Sequence, residues 1–345
     1  MKLTQMMIAK GFGGAERYFV DLSLALADLG HQVQVICHDQ FAGMQLLRHR
    51  TDMNIQAFRV RGWWDIWARK NIEKAIIAFA PDVIHAHLAR GACLAGKISA
   101  STGIPLVVKT HNYVKLKYYK NVAMFLPTTS DQKKYLEEKG INPGIIRVIP
   151  NFSSIPPVTE VTTVACDQSQ IICSLGRMVK KKGFDILIKA LKEIAGEDPD
   201  IVLHLGGDGP ERGHLQQLCN ELKVNDRVIF TGWVNDVGSF LREASLFVLP
   251  SYDEPFGIVI LEAMSQGTPI VSTPTQGPCE ILDNEIAWFV EAGNVHALAK
   301  TILSAMKDKN MRMHKAQKAL DKFRSTYARE RIVPELVGVY QKLAG

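Results

Sequence analysis

With 345 residues, 47% of them hydrophobic and 22% charged, the chain is long enough for two domains that each bury a core, and its composition excludes a disordered or fibrous protein. The net charge of +6 is unevenly carried: residues 1–152 hold 20 Lys+Arg against 11 Asp+Glu, a net +9, while residues 153–345 hold 21 against 24, a net −3. A basic first half suits an anionic partner, whether lipid headgroups, a phosphorylated acceptor or nucleic acid.

The opening segment, LTQMMIAKGFGGAERYFVDLSLALADLGHQVQVICHD, reads as strand, glycine turn, helix and strand. Tyr18, Leu22, Ala25, Leu26 and Leu29 recur at helical spacing, Gly30 stands where a C-terminal cap belongs, and Val33 and Val35 alternate as in a strand. The alternation continues through strand 83-VIHAH-87, helix 89–100, strand 105-PLVVKTH-111, strand 124–130, helix 131–140 and strand 146-IRVIPN-151. Strands interleaved with helices predict a parallel sheet covered on both faces. The polar, proline-containing SSIPPVTEVTT at 153–163 is expected to be an interdomain linker.

The second half repeats the pattern, with strands at 170–176, 201–207, 227–232, 245–251, 269–273 and 286–290. Helices are expected at 183–195, 211–222, 236–243 and 256–266, with a helical turn near 278–283. From about 294 to 343 the spacing is helical with a break near 309. Two doubly wound α/β domains in tandem result, with ligands expected beyond the carboxyl ends of the strands and in the cleft between the domains.

Cys37, Cys93, Cys166, Cys173, Cys219 and Cys279 are scattered singly without a C-x-x-C pair, which predicts reduced thiols rather than disulfides or a zinc site. No apolar run reaches about 18 residues, and the N-terminus lacks a basic-then-apolar signal segment. A cytoplasmic protein is therefore expected, with peripheral membrane contact left open.

In 251-SYDEPFGIVILEAMSQGTP-269 one carboxylate, Glu254, precedes a Pro-Phe-Gly turn and a second, Glu262, lies two helical turns into an apolar run. Pro255 suits the first position of a helix, so the amides of Phe256, Gly257 and Ile258 are expected to form an exposed helix N-terminus that welcomes an anion or sugar hydroxyl. A buried carboxylate at 262 suits paired hydroxyls such as a ribose. The alternative on spacing alone is that Glu254 complements the helix dipole and Glu262 pairs with an Arg.

In 176-GRMVKKKGFD-185 Arg177 follows a strand and Lys182 precedes a helix, two separated cations as a diphosphate requires. Lys180 and Lys181 read as a solvated run. GFGGAE at 11–16 opens the first helix and lets backbone approach a phosphate or sugar, but Glu16 breaks the G-x-G-x-x-G pattern, and Arg212 does the same in GGDGPERG. Both disfavour a nicotinamide or flavin fold.

His111 ends a strand and is expected to point toward the cleft, either donating to a reacting sugar or satisfied within its loop. His85 and His87 share a strand face without a third ligand, so no metal is expected. Three of the five tryptophans, Trp63, Trp64 and Trp67, stand among Arg59, Arg61, Arg69 and Lys70, and Lys115, Lys117 and Lys120 interleave with Tyr113, Tyr118 and Tyr119. Aromatics among cations fit a membrane interface or nucleic acid, or else the tryptophans are core and the lysines ordinary surface.

With E-x7-E at Glu254 and Glu262, GRMVKKKG, TGWVND, GGDGPER and EAMSQGTPIVST in order, the chain resembles the retaining GT-B glycosyltransferases of family 4, among them bacterial builders of lipopolysaccharide core and capsule. The match spans most of the chain and is strongest from Cys173 to about Leu282. The resemblance implies an α/β GT-B fold of two Rossmann-like doubly wound domains facing across a cleft: an acceptor-side domain over 1–152, completed by a C-terminal helix at about 326–345, and a nucleotide-sugar domain over 153–325.

It implies that Glu262 holds the donor's ribose and Glu254 the transferred sugar, and that Arg177 and Lys182 neutralise the leaving diphosphate in place of a metal. Amides at Phe256, Gly257 and Ile258 would bind hydroxyls and phosphate, Gly13 and Gly14 would form a loop over the diphosphate, His111 would stand beside the sugar, and Trp233 and Val234 would hold the base. The implied reaction moves a hexose from a nucleotide-sugar, a UDP-sugar, to an envelope glycan or glycolipid such as lipopolysaccharide core, at the inner membrane face, with no cofactor and no nucleic acid. The donor diphosphate would serve as base, and domain closure would exclude water. Two departures stand out: the first domain is short for the family, and Pro255-Phe256 replaces the commoner Gly-Phe. The competing functions are a GT-B nucleotide-sugar epimerase and a basic membrane or nucleic-acid binding protein without turnover.

Overall fold

A computed structural model of the chain describes residues 1–161 and 170–345, which form two compact units: Met1–Phe152 with Arg329–Gly345, and Ser153–Ala328. In the first unit, β1 (Lys2–Met7), β2 (Gln32–His38), β3 (Asn54–Phe58), β4 (Val83–His87), β5 (Leu106–Thr110) and β6 (Met124–Pro127) form one parallel sheet in the order β3-β2-β1-β4-β5-β6. The helices α1 (Gly14–Asp28), α2 (Ile66–Phe79), α3 (Leu88–Thr102) and α4 (Ser130–Glu138) alternate with these strands. Strands buried on both faces are expected to be apolar throughout. Thr4, Gln5, His85, His87 and Lys109 break that rule while fully buried, and they cluster at the middle of the sheet.

The second unit holds β7 (Ile171–Leu175), α5 (Phe184–Glu197), β8 (Val202–Gly206), α6 (Arg212–Leu222), β9 (Val228–Gly232), α7 (Val237–Arg242) and β10 (Leu246–Leu249). It continues through α8 (Ile258–Ser265), β11 (Ile270–Ser272), α9 (Gln276–Ile281), β12 (Trp288–Phe289), α10 (Val295–Lys307) and α11 (Lys309–Lys322). Its sheet order, β12-β11-β10-β7-β8-β9, repeats that of the first: the opening strand lies between the second and the fourth. The chain direction therefore reverses beside β1 and β4 in one unit and beside β7 and β10 in the other, and such switch points open a crevice at the strand ends.

Helix α5 shows why these segments fold as they do. Phe184, Leu187, Ile188, Leu191 and Ile194 fall on one stripe and are all buried against the sheet, each contributing roughly 1.5–3 kcal/mol relative to exposure. The C-terminal helical run breaks at Asp308, whose side chain caps α11 through the Met311 amide at 2.9 Å. It breaks again at a π-turn, Phe323–Tyr327, before the last helix, Arg329–Ala344.

One expectation is corrected. Residues 146–151 do not form a full strand: the amides of Arg147 and Ile149 donate to Phe125 O and Pro127 O of β6 at 2.9 and 3.0 Å, but Pro150 brings no amide, and the carbonyls of Ile149 and Pro150 accept from the buried Lys109 ammonium. The expected linker begins where the second unit begins, at Ser153, and packs on that unit where it is described. Val158 N donates to Ser265 O at 2.9 Å, and Gln266 Nε2 to Pro156 O at 2.9 Å; its residues from 162 on lie outside the described residues.

Cys37, Cys173 and Cys219 are buried, Cys93 is half-buried and Cys279 is exposed, all as free thiols, while Cys166 lies outside the described residues. Among the described residues no helix is long and apolar enough to cross a membrane.

Candidate active site

At the switch point of the second sheet two loops leave neighbouring strands, 176–183 after β7 and 250–257 after β10. They are joined through the Tyr252 amide, which donates to Lys181 O at 2.8 Å, and through Lys181 Nζ, 3.1 Å from Asp253 Oδ2. Gly183 makes this approach possible: its φ is +66°, and a Cβ there would lie 2.1 Å from Pro250 O. The closure brings the Lys182 ammonium onto the Glu254 carboxylate in a direct hydrogen bond. With side chains only 15% and 9% exposed, the pair is shielded from water and its attraction is less screened than that of a surface pair.

Arg177, exposed on the same loop, has no side-chain partner among the described residues. The Glu254 carbonyl accepts from the Gly277 amide at 2.9 Å, which ties the loop to α9.

Helix α8 begins at Ile258, later than the sequence suggests, because Gly257 takes a left-handed φ of +90° as its N-cap and Pro255 stays in the loop. Among the described residues the backbone amides of Phe256, Gly257 and Ile258 have no acceptor. These N–H groups, the positive end of a helix dipole and two cations make one anion-attracting surface around a single carboxylate.

Glu262 is buried on α8, 5% exposed among Ile260, Leu261, Ala263 and Met264. Val234 lies over the end of β8, where its Cγ2 would be 2.9 Å from a Cβ at Gly206, and Trp233 beside it is exposed. Sequence reasoning missed two buried hydroxyls at these strand ends, Ser251 Oγ and Thr275 Oγ1, neither of which has a hydrogen-bond partner among the described residues. Their only signal is position, just after β10 and just before α9.

Gly13, Gly14 and His111 belong to the first unit. Gly13 is the N-cap of α1, and its amide is taken by Glu16 Oε2 at 3.1 Å, while Gly14 starts the helix. His111 directly follows β5, and its Nε2 lies 3.3 Å from His87 Nδ1; His87 Nε2 in turn lies 3.1 Å from Gln5 Oε1. His111 Nδ1 and the Tyr18 hydroxyl are buried without hydrogen-bond partners among the described residues, their rings 5.5 Å apart. Burial, helped by the Lys109 charge, pulls the His111 imidazole down to about 3, so the ring is neutral at pH 7. The His85 and His87 rings lie 4.4 Å apart at a tilt of 38°, and His85 Nδ1 is hydrogen-bonded to the Tyr340 hydroxyl at 2.6 Å. Among the described residues no group of three or more His, Cys, Asp or Glu is gathered as a metal would need.

Trp63, Trp64 and Trp67 are 54%, 58% and 81% exposed, which overturns the reading of them as core. Lys115, Lys117 and Lys120 are exposed as well, whereas Tyr119 is buried and belongs to the core of the first unit.

Residues 12–153 match the family described as Glycosyltransferase Family 4, and residues 163–322 match Glycosyl transferases group 1. The chain is 31% identical over 342 residues to the lipopolysaccharide core biosynthesis glycosyltransferase LpsE of Rhizobium meliloti (strain 1021), covering 96% of each chain. It is 29% identical over 341 residues to LpsD of the same organism, covering 96% of this chain and 95% of that one. The crystal structure of Anabaena HepE in complex with UDP and glucose superimposes with a TM-score of 0.85 at 19% identity, covering 99% of this chain and 100% of that one. With two doubly wound units of GT-B type and a relative of this identity along nearly its whole length, the chain belongs to the family 4 glycosyltransferases.

Proposed function

We propose that this glycosyltransferase moves a hexose from a UDP-sugar to an envelope glycan or glycolipid of the lipopolysaccharide-core type, with retention at the anomeric carbon and without a metal. The observation that carries the donor side is the convergence at one switch point of Lys182, Glu254, unpaired Arg177 and the three free amides of 256–258. Arg177 and Lys182 neutralise the leaving diphosphate. The Lys182 ammonium has three N–H donors, so it can serve a phosphate oxygen while keeping Glu254 in place.

Glu254 then faces the hydroxyls of the transferred sugar, Glu262 the ribose, and Trp233 and Val234 the base. Gly13 and Gly14 serve the diphosphate, and neutral His111 offers the sugar a hydrogen bond. As the nucleotide leaves, positive charge develops on the anomeric carbon, and the acceptor hydroxyl attacks from the same face with a diphosphate oxygen taking its proton. The bound UDP of HepE supports the nucleotide, and the names of LpsE and LpsD support the acceptor class.

The exposed Trp63, Trp64 and Trp67 among basic residues support peripheral contact with the anionic inner face of the cytoplasmic membrane. Thermal unfolding with a panel of nucleoside diphosphates and their sugars tests the donor, since a ligand at 100 times its Kd stabilises by about 2.7 kcal/mol. Arg177→Ala is expected to lower acceptor-dependent donor consumption by about 10²–10³-fold and to leave stability within about 0.5 kcal/mol. Undiminished consumption would sink the leaving-group assignment, and donor turnover without any acceptor would favour an epimerase.

A further inference from the structure

The switch point of the first sheet also carries a cavity, of about 530 Å³, a volume within the range of small-molecule sites. Its walls come from Ile8 just after β1, Leu88 at the start of α3, and the rings of Trp63 and Tyr118. Lys10 and Arg90 also line it, and no carboxylate does. Neither of these two cations has a side-chain hydrogen bond or ion pair among the described residues. Lys97 stands 5.5 Å from the centre of the Trp63 ring and Lys117 5.0 Å from that of Tyr118, so each of these lining residues has a cation against its ring.

Two unpaired cations in a concave site without a carboxylate select a dianion, and a phosphate monoester offers three oxygens and nearly two charges to fill them. The aromatic side chains of Trp63 and Tyr118 in the lining offer apolar surface to the carbon-bound hydrogens of a sugar. We infer that this cavity is an acceptor subsite that takes a phosphorylated sugar residue of the acceptor glycan. The inference rests on the transferase reading above and adds to it the chemistry of the acceptor. A flat lipid surface would use the outward Trp64 and Trp67 and would not need a pocket.

The test titrates the full chain with a hexose 6-phosphate, the free hexose, inorganic phosphate and phosphatidylglycerol vesicles, following tryptophan fluorescence. The hexose phosphate is expected to bind at least about tenfold more tightly than hexose or inorganic phosphate, with roughly a tenfold loss for each of Lys10→Gln and Arg90→Gln. Tyr118→Ala should weaken the hexose phosphate while leaving inorganic phosphate unchanged.

Absent hexose-phosphate binding, equal binding of the free hexose, or undiminished binding in the double variant would overturn the proposal. So would inorganic phosphate binding as tightly as the ester, which means a bare anion site, or vesicles alone depending on Lys10 and Arg90, which means a lipid site. UDP titrated in parallel reads the other unit: lost UDP binding with hexose-phosphate binding intact refutes the donor assignment alone, and the reverse refutes this one alone.

Discussion

The Lys182 ammonium donates to the Glu254 carboxylate, joining the loop after β7 to the loop after β10 at the point where the second sheet reverses direction. Removing one partner leaves the other charge shielded and unpaired, which for buried pairs costs about 3–5 kcal/mol. Because Lys182 is 15% exposed, Lys182→Met is expected at the low end, a loss of about 3 kcal/mol in urea unfolding. Adding Glu254→Gln should recover most of that loss in a double-mutant cycle. Additive single losses would mean that the pair is not coupled.

Gly183→Ala should act on the same closure from the backbone side. The left-handed φ of +66° costs a residue with a Cβ roughly 1–2 kcal/mol, and the new Cβ would sit 2.1 Å from Pro250 O. A loss above about 2 kcal/mol is expected, together with weaker UDP binding as the Lys182 loop shifts. Gly213→Ala on α6 meets nothing within 4 Å and is the control, expected to stabilise by about 0.5–1 kcal/mol. Equal effects at both positions would contradict the steric account.

Acid should unfold the first unit through its buried histidines. Burial holds His85 and His87 well below their ordinary range and His111 down to about 3, with neighbouring charges adding to the effect. In the unfolded chain each takes up a proton near 6.5. Below that pH the unfolded state holds the extra proton, for His111 down to about 3, so the histidine contribution is full above about pH 6.5 and falls as pH drops, by up to about 1.4 kcal/mol per pH unit for each histidine. Lys109, also held low by burial, acts in the same direction at higher pH. Urea midpoints measured from pH 7.5 to 4.5 should show the slope, and His111→Asn should reduce it; a flat profile would refute the neutral cluster. His111 should also add no limb to the pH–rate profile between pH 5 and 8.

Trp64→Ser with Trp67→Ser, sparing Trp63 because it lines the cavity, is expected to lower sedimentation with anionic vesicles while UDP binding is kept. The residual binding should weaken as salt rises from 0.01 to 0.15 M and the Debye length shrinks from about 30 Å to about 8 Å. Vesicle binding that ignores both the substitutions and the salt would remove the membrane assignment.

Most strands were legible from the sequence because central strands of a parallel sheet are buried on both faces and appear as short apolar runs between glycines and helical stripes; β7 and β10 are of this kind, while β1 and β4 mix apolar residues with buried Thr4, Gln5, His85 and His87. The edge strand β3 is half exposed and polar, so it carries no such run. Residues 146–151 look apolar enough for a strand, yet their carbonyls are claimed by Lys109, a partner 40 residues away.

The sequence by itself determined the α/β class, the order of elements and the short segments that carry the chemistry, because local periodicity and turn residues are written in neighbouring positions. Only the tertiary structure decided which of those segments meet. Lys182 and Glu254 are 72 residues apart and touch because the strand order reverses between β7 and β10. It also decided that Trp64 and Trp67 are exposed, that Trp63 lines a cavity, and that Lys10 and Arg90 line the same cavity without side-chain partners among the described residues. Burial and pairing depend on every element packed against a residue, and no window of neighbouring sequence contains that information.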